Sequence, residues 1–277
     1  MTMKINSNTS ALFSFNRLQE NYQAFTKSLE RLSSGRRINQ AADDSSGMSI
    51  ANALESQKRG FGQAVRNATD AISIVQTADG ALGEMSNILQ EMRVKALQAS
   101  SDSQSVDSRR ALQAGINRSV STLNDISRNT SYNGQILLSG QFTDKNFQVG
   151  ATSGETISVS IGSVTPDQLG GGNLSELNVT TFEGAQDAIT AIDEALSQLN
   201  SERSGLGSTQ NQLRSSISNL SNSFVNAAAA ESTIADVDFA DESATFSNFR
   251  LLLKANIFAL SQANKVKESS VMNLLQG

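Results

Sequence analysis

The chain has 277 residues, a formal net charge of −5 and 18% charged residues, fewer than the ~25% of an average soluble domain. Neutral polar residues fill the gap, with 42 Ser, 24 Asn and 20 Gln, while Cys, His and Trp are absent and Pro occurs once. That composition excludes a disulfide framework, thiolate or imidazole catalysis and Cys/His metal sites, and the acidic balance argues against nucleic acid as a partner. The N-terminal stretch is polar. It lacks the apolar segment of a secretory signal, so export without a cleaved signal is the expectation.

From Ala11 a helical pattern begins. Phe15, Leu18, Tyr22, Phe25, Leu29 and Leu32 alternate spacings of three and four, an a/d seam that faces one partner helix. Ser33, Ser34 and Gly35 end it. Residues 36–47 read as a polar connector, and Asp43 and Asp44 precede the next helix, where carboxylates favour a helix N-terminus.

That helix is predicted over about 45–99, with Leu82, Met85, Leu89, Met92, Ala96 and Ala99 in one frame. A Ser/Asp loop at 100–108 leads to a helix carrying Leu112, Ile116, Val120, Leu123 and Ile126. Tyr132-Asn133-Gly134 marks a turn. Residues 146–149 and 156–161 alternate with period two on either side of GATSGE, which predicts a β-hairpin. The single Pro, Pro166, and the Gly170–Gly172 run place 163–182 in a surface loop.

From Glu183, Ile189, Ile192, Leu196, Leu199, Leu206, Leu213, Ile217, Leu220 and Phe224 keep one heptad frame, which Arg203 and Gln210 interrupt. A helix of that length implies a rod. Ala227–Ala230 and the acidic run after it read as a second connector. The last helix carries Phe246, Phe249, Leu253, Ile257, Leu260, Val271, Leu274 and Leu275. Its most apolar run, Leu251–Leu260, is broken by Lys254 and Asn256 and is too short to span a bilayer. The expected fold is mostly α: an elongated antiparallel helical rod or coiled coil with one β-hairpin. Its parts are an N-terminal helix with connector (1–40), rod helices (41–140), hairpin and short loop (141–182), a C-terminal rod helix (183–235) and a C-terminal helix (236–277).

Few residues suggest chemistry. Asp43-Asp44 and the group Asp236, Asp238, Asp241 and Glu242 read as caps or solvated charges more readily than as metal or acid–base sites. Gly35-Arg36-Arg37 is one basic dipeptide in an acidic chain. The Gly170–Gly172 run lacks the Lys-Ser/Thr of a phosphate loop and reads as a flexible connection. The terminal heptads fit an intrachain pair, burial between subunits, or both. Leu12, Phe13, Leu251, Leu252 and Phe258 lie off the shared seam and favour association.

The stretches LSSGRRINQAADDSSGMSIANAL (Leu32–Leu54), TADGALGEM, SYNGQILLSG, FQVGATSGETISV and ALSQANKVKESSVMNLLQG resemble bacterial flagellin over nearly the whole chain except about 163–182. The chain departs from the family in a short middle with no outer domain, and in Lys267, where flagellins often carry Pro. The resemblance implies a non-enzymatic, extracellular subunit that polymerises into the flagellar filament, with no cofactor. It also implies export chaperone, cap and hook-junction proteins as partners and O-glycosylation candidates among Ser and Thr of 141–182. A hook–filament junction protein is the alternative, but its connector typically carries a Pro-containing PSDDP-like stretch where this chain has AADDSSG. A filament-borne protease would need a longer middle and a His. Flagellins that stimulate the flagellin-sensing Toll-like receptor resemble QRVRELAVQ and a QAEI-like stretch. This chain has Glu91, Lys95 and Gly115 in place of Arg, Leu and Glu, which implies weak recognition.

Overall fold

The computed structural model describes residues 7–172 and 174–276, the side chains of 172 and 273–276 excepted. Leu274 and Leu275 of the expected seam therefore lie outside the described side chains. Five helices carry the chain: α1 (Thr9–Ser34), α2 (Ser45–Ala99), α3 (Val106–Asn129), α4 (Phe182–Ala235) and α5 (Phe239–Gln276). Strands β1 (Ser131–Tyr132) and β2 (Gln135–Ile136) form one antiparallel pair, and β3 (Lys145–Gln148) and β4 (Thr156–Val159) another. At 1.5 Å per residue α2 is roughly 80 Å long. None of the described helices is long and apolar enough to cross a membrane. The chain divides into two compact units, residues 57–225 and residues 1–56 with 226–277.

In the unit of 57–225, α2 and α4 run antiparallel, because Asp79 accepts from Arg203 at 2.8 Å while Arg93 donates to Asp193 at 2.6 and 3.2 Å. Leu82, Met85, Leu89, Met92, Ala96 and Ala99 of α2 are fully buried against Ile192, Leu199 and Leu206 of α4 and Ile116 and Leu123 of α3. The 3,4 spacing puts these residues on one stripe of each helix, which buries them together. Ser105 caps α3, its hydroxyl accepting from the Ser108 N–H at 3.1 Å. Arg109 closes the α2–α3 turn by donating to the Ala99 and Ser101 carbonyls at 2.9 and 3.2 Å, the first an acceptor the helix end leaves free.

Two expectations for the middle of the chain change. The hairpin expected at 146–149 and 156–161 is present as β3 and β4, but a second strand pair precedes it. Asn133 and Gly134 take φ of 48° and 77°, the left-handed values a two-residue hairpin turn demands. Residues 163–172 and 174–180 are not a surface loop. Val164, Leu169, Leu174 and Val179 insert into the core of this unit, each at most 1% exposed. Nor is the glycine run a slack connection. Gly170 sits at φ 61°, and a Cβ there would stand 2.3 Å from the Ala191 carbonyl oxygen. The segment is held by Gln113, whose side-chain amide donates to the Leu177 carbonyl at 2.7 Å and accepts from the Val179 N–H at 2.6 Å.

In the other unit, α1 and α5 pack antiparallel. Asn8 donates to the Ala263 carbonyl at 3.2 Å near one end, and Arg31 pairs with Glu242 at 3.6 Å near the other. Gly35 ends α1 in the left-handed region with φ 69°, its N–H bonded to the Arg31 carbonyl. The expected second connector shrinks to residues 236–238, because Ala227–Ala230 continue α4 to Ala235. Alanine is the strongest helix former, so the run extends the helix. The two connectors meet in a short bridge. Arg37 N–H donates to the Ala235 carbonyl at 2.7 Å and Val237 N–H to the Gly35 carbonyl at 3.1 Å.

Candidate self-assembly surface

The α1–α5 seam runs through Ala11, Ser14, Leu18, Asn21, Phe25, Ser28 and Leu32 on α1, and through Glu242, Phe246, Phe249, Leu253, Asn256, Leu260, Ala263 and Lys267 on α5, all at least half-buried. Phe25 stacks on Phe246 with ring centroids 4.9 Å apart. The expected frame therefore splits. Leu18, Phe25, Leu32, Phe249, Leu253 and Leu260 face the partner helix, and Val271 is half-buried further along α5. Phe15, Tyr22, Leu29 and Ile257 do not. They are exposed, Tyr22 by 61% and Ile257 by 58%. Ser and Asn occupy their alternate layers in the seam, because Ser14, Asn21 and Ser28 each stand four residues before Leu18, Phe25 and Leu32.

The displaced side chains join others on the outside. On α1, Leu12 and Phe13 are exposed beside Phe15, Tyr22 and Leu29; on α5, Leu251, Leu252, Phe258 and Met272 are exposed beside Ile257. With Phe249 and Leu253 inward and Leu251 and Phe258 outward, α5 carries apolar residues all the way round. Such a helix is stable when covered on every side. Isolated exposed apolar residues are ordinary, but a continuous set along two helices marks a surface for other chains.

The charged residues singled out from the sequence serve the local fold. Asp44 caps α2, accepting from the Gly47 N–H at 2.8 Å. A Cβ on Gly47 would fall 2.4 Å from that carboxylate and 2.8 Å from the buried Ile38. Asp43 accepts from Lys27 at 2.6 Å and from the Asn39 and Gln40 N–H groups. The Lys27 ammonium and these donors hold its carboxyl down to about 2. Asp238 caps α5 through the Ala240 N–H at 2.9 Å, and Glu242 is buried against Arg31. Arg36 pairs with Glu231 at 3.8 Å, and Arg37 donates to the Ile234 carbonyl at 2.6 Å.

Of the three positions that depart from the receptor-stimulating pattern, Glu91 is exposed on α2. Lys95 lies across α3: its ammonium bonds Ser119 at 3.3 Å, and its stem passes 3.6 Å from where a Gly115 Cβ would stand. Lys95 thus reaches α3 beside Gly115, a proximity between helices that separate stretches of sequence do not display. Gln113, in the second stretch, is occupied by its bonds to Leu177 and Val179.

Fold and surface together define a helical protein whose terminal helix pair exposes many large apolar side chains. The model of the bacterial flagellin N-terminal helical region matches residues 5–143, and that of the C-terminal helical region matches residues 189–275. The chain belongs to the flagellin family. It is 39% identical over 274 residues to the flagellin of Halalkalibacterium halodurans, covering 99% of this chain and 100% of that one. It is 46% identical over 199 residues to Flagellin B of Helicobacter pylori, covering 72% of this chain and 38% of that protein. The chain thus spans well under half the length of the Helicobacter relative. The crystal structure of Bacillus cereus flagellin superposes with a TM-score of 0.51 at 28% identity, over 56% of this chain and 88% of that one.

Proposed function

We propose that the chain is a structural, non-catalytic subunit of an extracellular flagellar filament, exported without a cleaved signal. The observation that carries this reading is the apolar ring on α5 together with the exposed Phe and Leu set on α1. Contacts between different faces of neighbouring copies, repeated without closing, give an open helical polymer. Export chaperone, cap and hook-junction proteins are the further partners in this reading, and the α1–α5 pair and its outward apolar residues are the contact surface. The test is sedimentation and negative-stain microscopy after seeding or salting out. Filaments support it, and amorphous or purely monomeric protein under all such conditions rejects it.

Recognition by the flagellin-sensing Toll-like receptor is weak in this reading. Glu91 reverses a charge, and Lys95 is bonded to Ser119 on α3 beside Gly115. A lost hot spot costs ~2 kcal/mol or more, about thirtyfold in affinity. A reporter-cell assay against a flagellin with the QRVREL pattern, at equal monomer concentration, checks this; equal stimulation rejects it.

A further inference from the structure

Among the described residues, nine glycines stand inside helices α2, α3 and α4, and packing accounts for five of them. A Cβ on Gly47, Gly60, Gly62, Gly115 or Gly184 would meet a neighbouring side chain or carbonyl within 4 Å. At Gly80, Gly83, Gly205 and Gly207 such a Cβ would meet nothing within 4 Å beyond the local helix backbone. Contacts within the chain therefore do not require glycine at these four positions, and each loosens its helix by a factor of about two to five relative to alanine. The four share one level. Asp79 accepts from Arg203 at 2.8 Å. Gly80 and Gly83 follow Asp79, and Gly205 and Gly207 follow Arg203, so each lies within about 6 Å of that pair along its helix axis. Ser204-Gly205 and Gly207-Ser208 are also Gly/Ser pairs, a recurring cause of helix kinks.

Three other features change near this level. α3 runs back along α2, with Lys95 bonded to Ser119 at 3.3 Å, and Asn129 ends α3 ten residues beyond Ser119, near Met85. The third helix thus stops beside the glycines. The apolar core also divides. Ile74, Val75 and Leu206 belong to the large core, whereas Ala68, Ala71, Ile157 and Leu213 form a separate cluster, and Phe147 packs against both. In the heptad frame that Leu196, Ile217 and Phe224 keep, Arg203 and Gln210 fill two successive positions. The Asp79–Arg203 pair that spans the level is more than a third exposed on both sides, and pairs so open to solvent hold weakly. We propose that residues 79–83 of α2 and 203–210 of α4 form a hinge inside the unit of 57–225. There the body built on α3 tilts against the body built on β3 and β4, with Phe147 as the apolar contact they keep. Bending at this level exposes little apolar area, because two seam positions are already polar.

The chain has no Cys, so paired spin labels on introduced cysteines test the hinge in the full-length monomer. Thr69→Cys with Glu91→Cys straddles it, and Glu91→Cys with Thr122→Cys lies within the body of α3; all three positions are exposed. The straddling pair should give a distance distribution about twofold broader than the other. Gly80→Ala, Gly83→Ala, Gly205→Ala and Gly207→Ala together should narrow it to the width of the same-body pair. Each replacement should also slow hydrogen exchange over 76–84 and 203–211 about threefold, relative to the flanking turns of α2 and α4. Gly80→Ala with Gly205→Ala alone should narrow the distribution partway, which keeps the test open if the fourfold variant does not fold. Ser197→Gly adds a glycine to α4 away from this level and should leave the width unchanged. Equal widths for the two wild-type pairs overturn the proposal. So does an unnarrowed distribution in folded alanine variants, or a broadening by Ser197→Gly, which would spread the softness along the helix. Alanine variants that keep the wild-type width but lose sedimentable polymer would make the bare glycines a contact between copies and reject the hinge.

Discussion

The two compact units solve the same problem, joining long antiparallel helices, in opposite ways. Between 57 and 225 the helices meet over Leu, Met, Ile and Ala that are fully buried, and residues 163–180 add four more apolar side chains to that core. In the terminal unit the α1 side of the seam alternates Leu or Phe with Ser or Asn, and large apolar residues of the flanking layers stand in solvent. The first arrangement is complete within one chain. The second leaves much of its apolar surface uncovered within the chain. Heptad spacing alone therefore does not say whether a helix is finished.

The largest expected effect separates seam from outer face. Leu253→Asp puts a carboxylate into the α1–α5 seam, and Leu29→Asp puts one on the exposed flank; both should abolish sedimentable polymer, at several kcal/mol repeated in every subunit. Protease mapping should leave 57–225 intact in each. Normal filaments from Leu29→Asp would show that the flank is not a contact.

A second contrast compares truncations. Leu89→Ala in the fully buried seam should cost about 2–5 kcal/mol and lower the main melting transition by roughly 5–15 °C. Leu18→Ala in the terminal pair should leave that transition within about 2 °C in the monomer, because the pair adds little there. Equal shifts would erase the distinction between the units.

Gln113→Ala removes both backbone bonds to 177–179 and should cost about 1–3 kcal/mol, with hydrogen exchange rising over 174–180 before the rest of the unit opens. Exchange that rises only with global unfolding would mean that apolar burial holds the segment without the clamp.

The smallest effect concerns pH. Asp43 falls from an ordinary 3.8 to about 2 because Lys27 and two N–H groups stabilise its charged form. A depressed carboxyl pKa stabilises the fold above the unfolded value, and that contribution is lost as pH falls from about 4 through about 2. Lys27→Met should reduce the acid sensitivity of the terminal unit in assembled protein over that window, read as helicity against pH. An unchanged profile would place the acid response elsewhere.

How much of this was legible in the sequence depends on which residues carry each feature. The bounds of α2 were legible because Asp44 caps its start and an unbroken 3,4 frame follows. The hairpin at 146–149 and 156–161 was legible from its alternation, and the terminal helices from their heptads. The α1 frame was misjudged because two frames share Leu18, Phe25 and Leu32, and apolarity favours the one with Phe15, Tyr22 and Leu29. The helices pair through the other, where smaller side chains occupy the alternate layers. In α5 the same slip selects Asn256 over Ile257. Residues 163–180 misled because Pro and Gly signal a loop regardless of whether the loop is solvated. The Tyr132-Asn133-Gly134 signal was present and belongs to a second strand pair.

By itself the sequence determined the helical class, the helix limits set by caps and periodicity, the absence of Cys and His chemistry, and the resemblance carried by its long motifs. These are local or compositional properties, fixed by spacing and side-chain type. Tertiary structure decided which of two overlapping frames faces the partner helix, that Gly170 lies against a backbone carbonyl, that Gln113 clamps a segment more than sixty residues away, and that Lys95 reaches Ser119 on α3. Each of these depends on which chain segments meet in space. Two distant segments compete for the same surface, and the winner is set by how closely backbones approach and whether each buried polar group finds a partner. Neither quantity is a property of one stretch of residues.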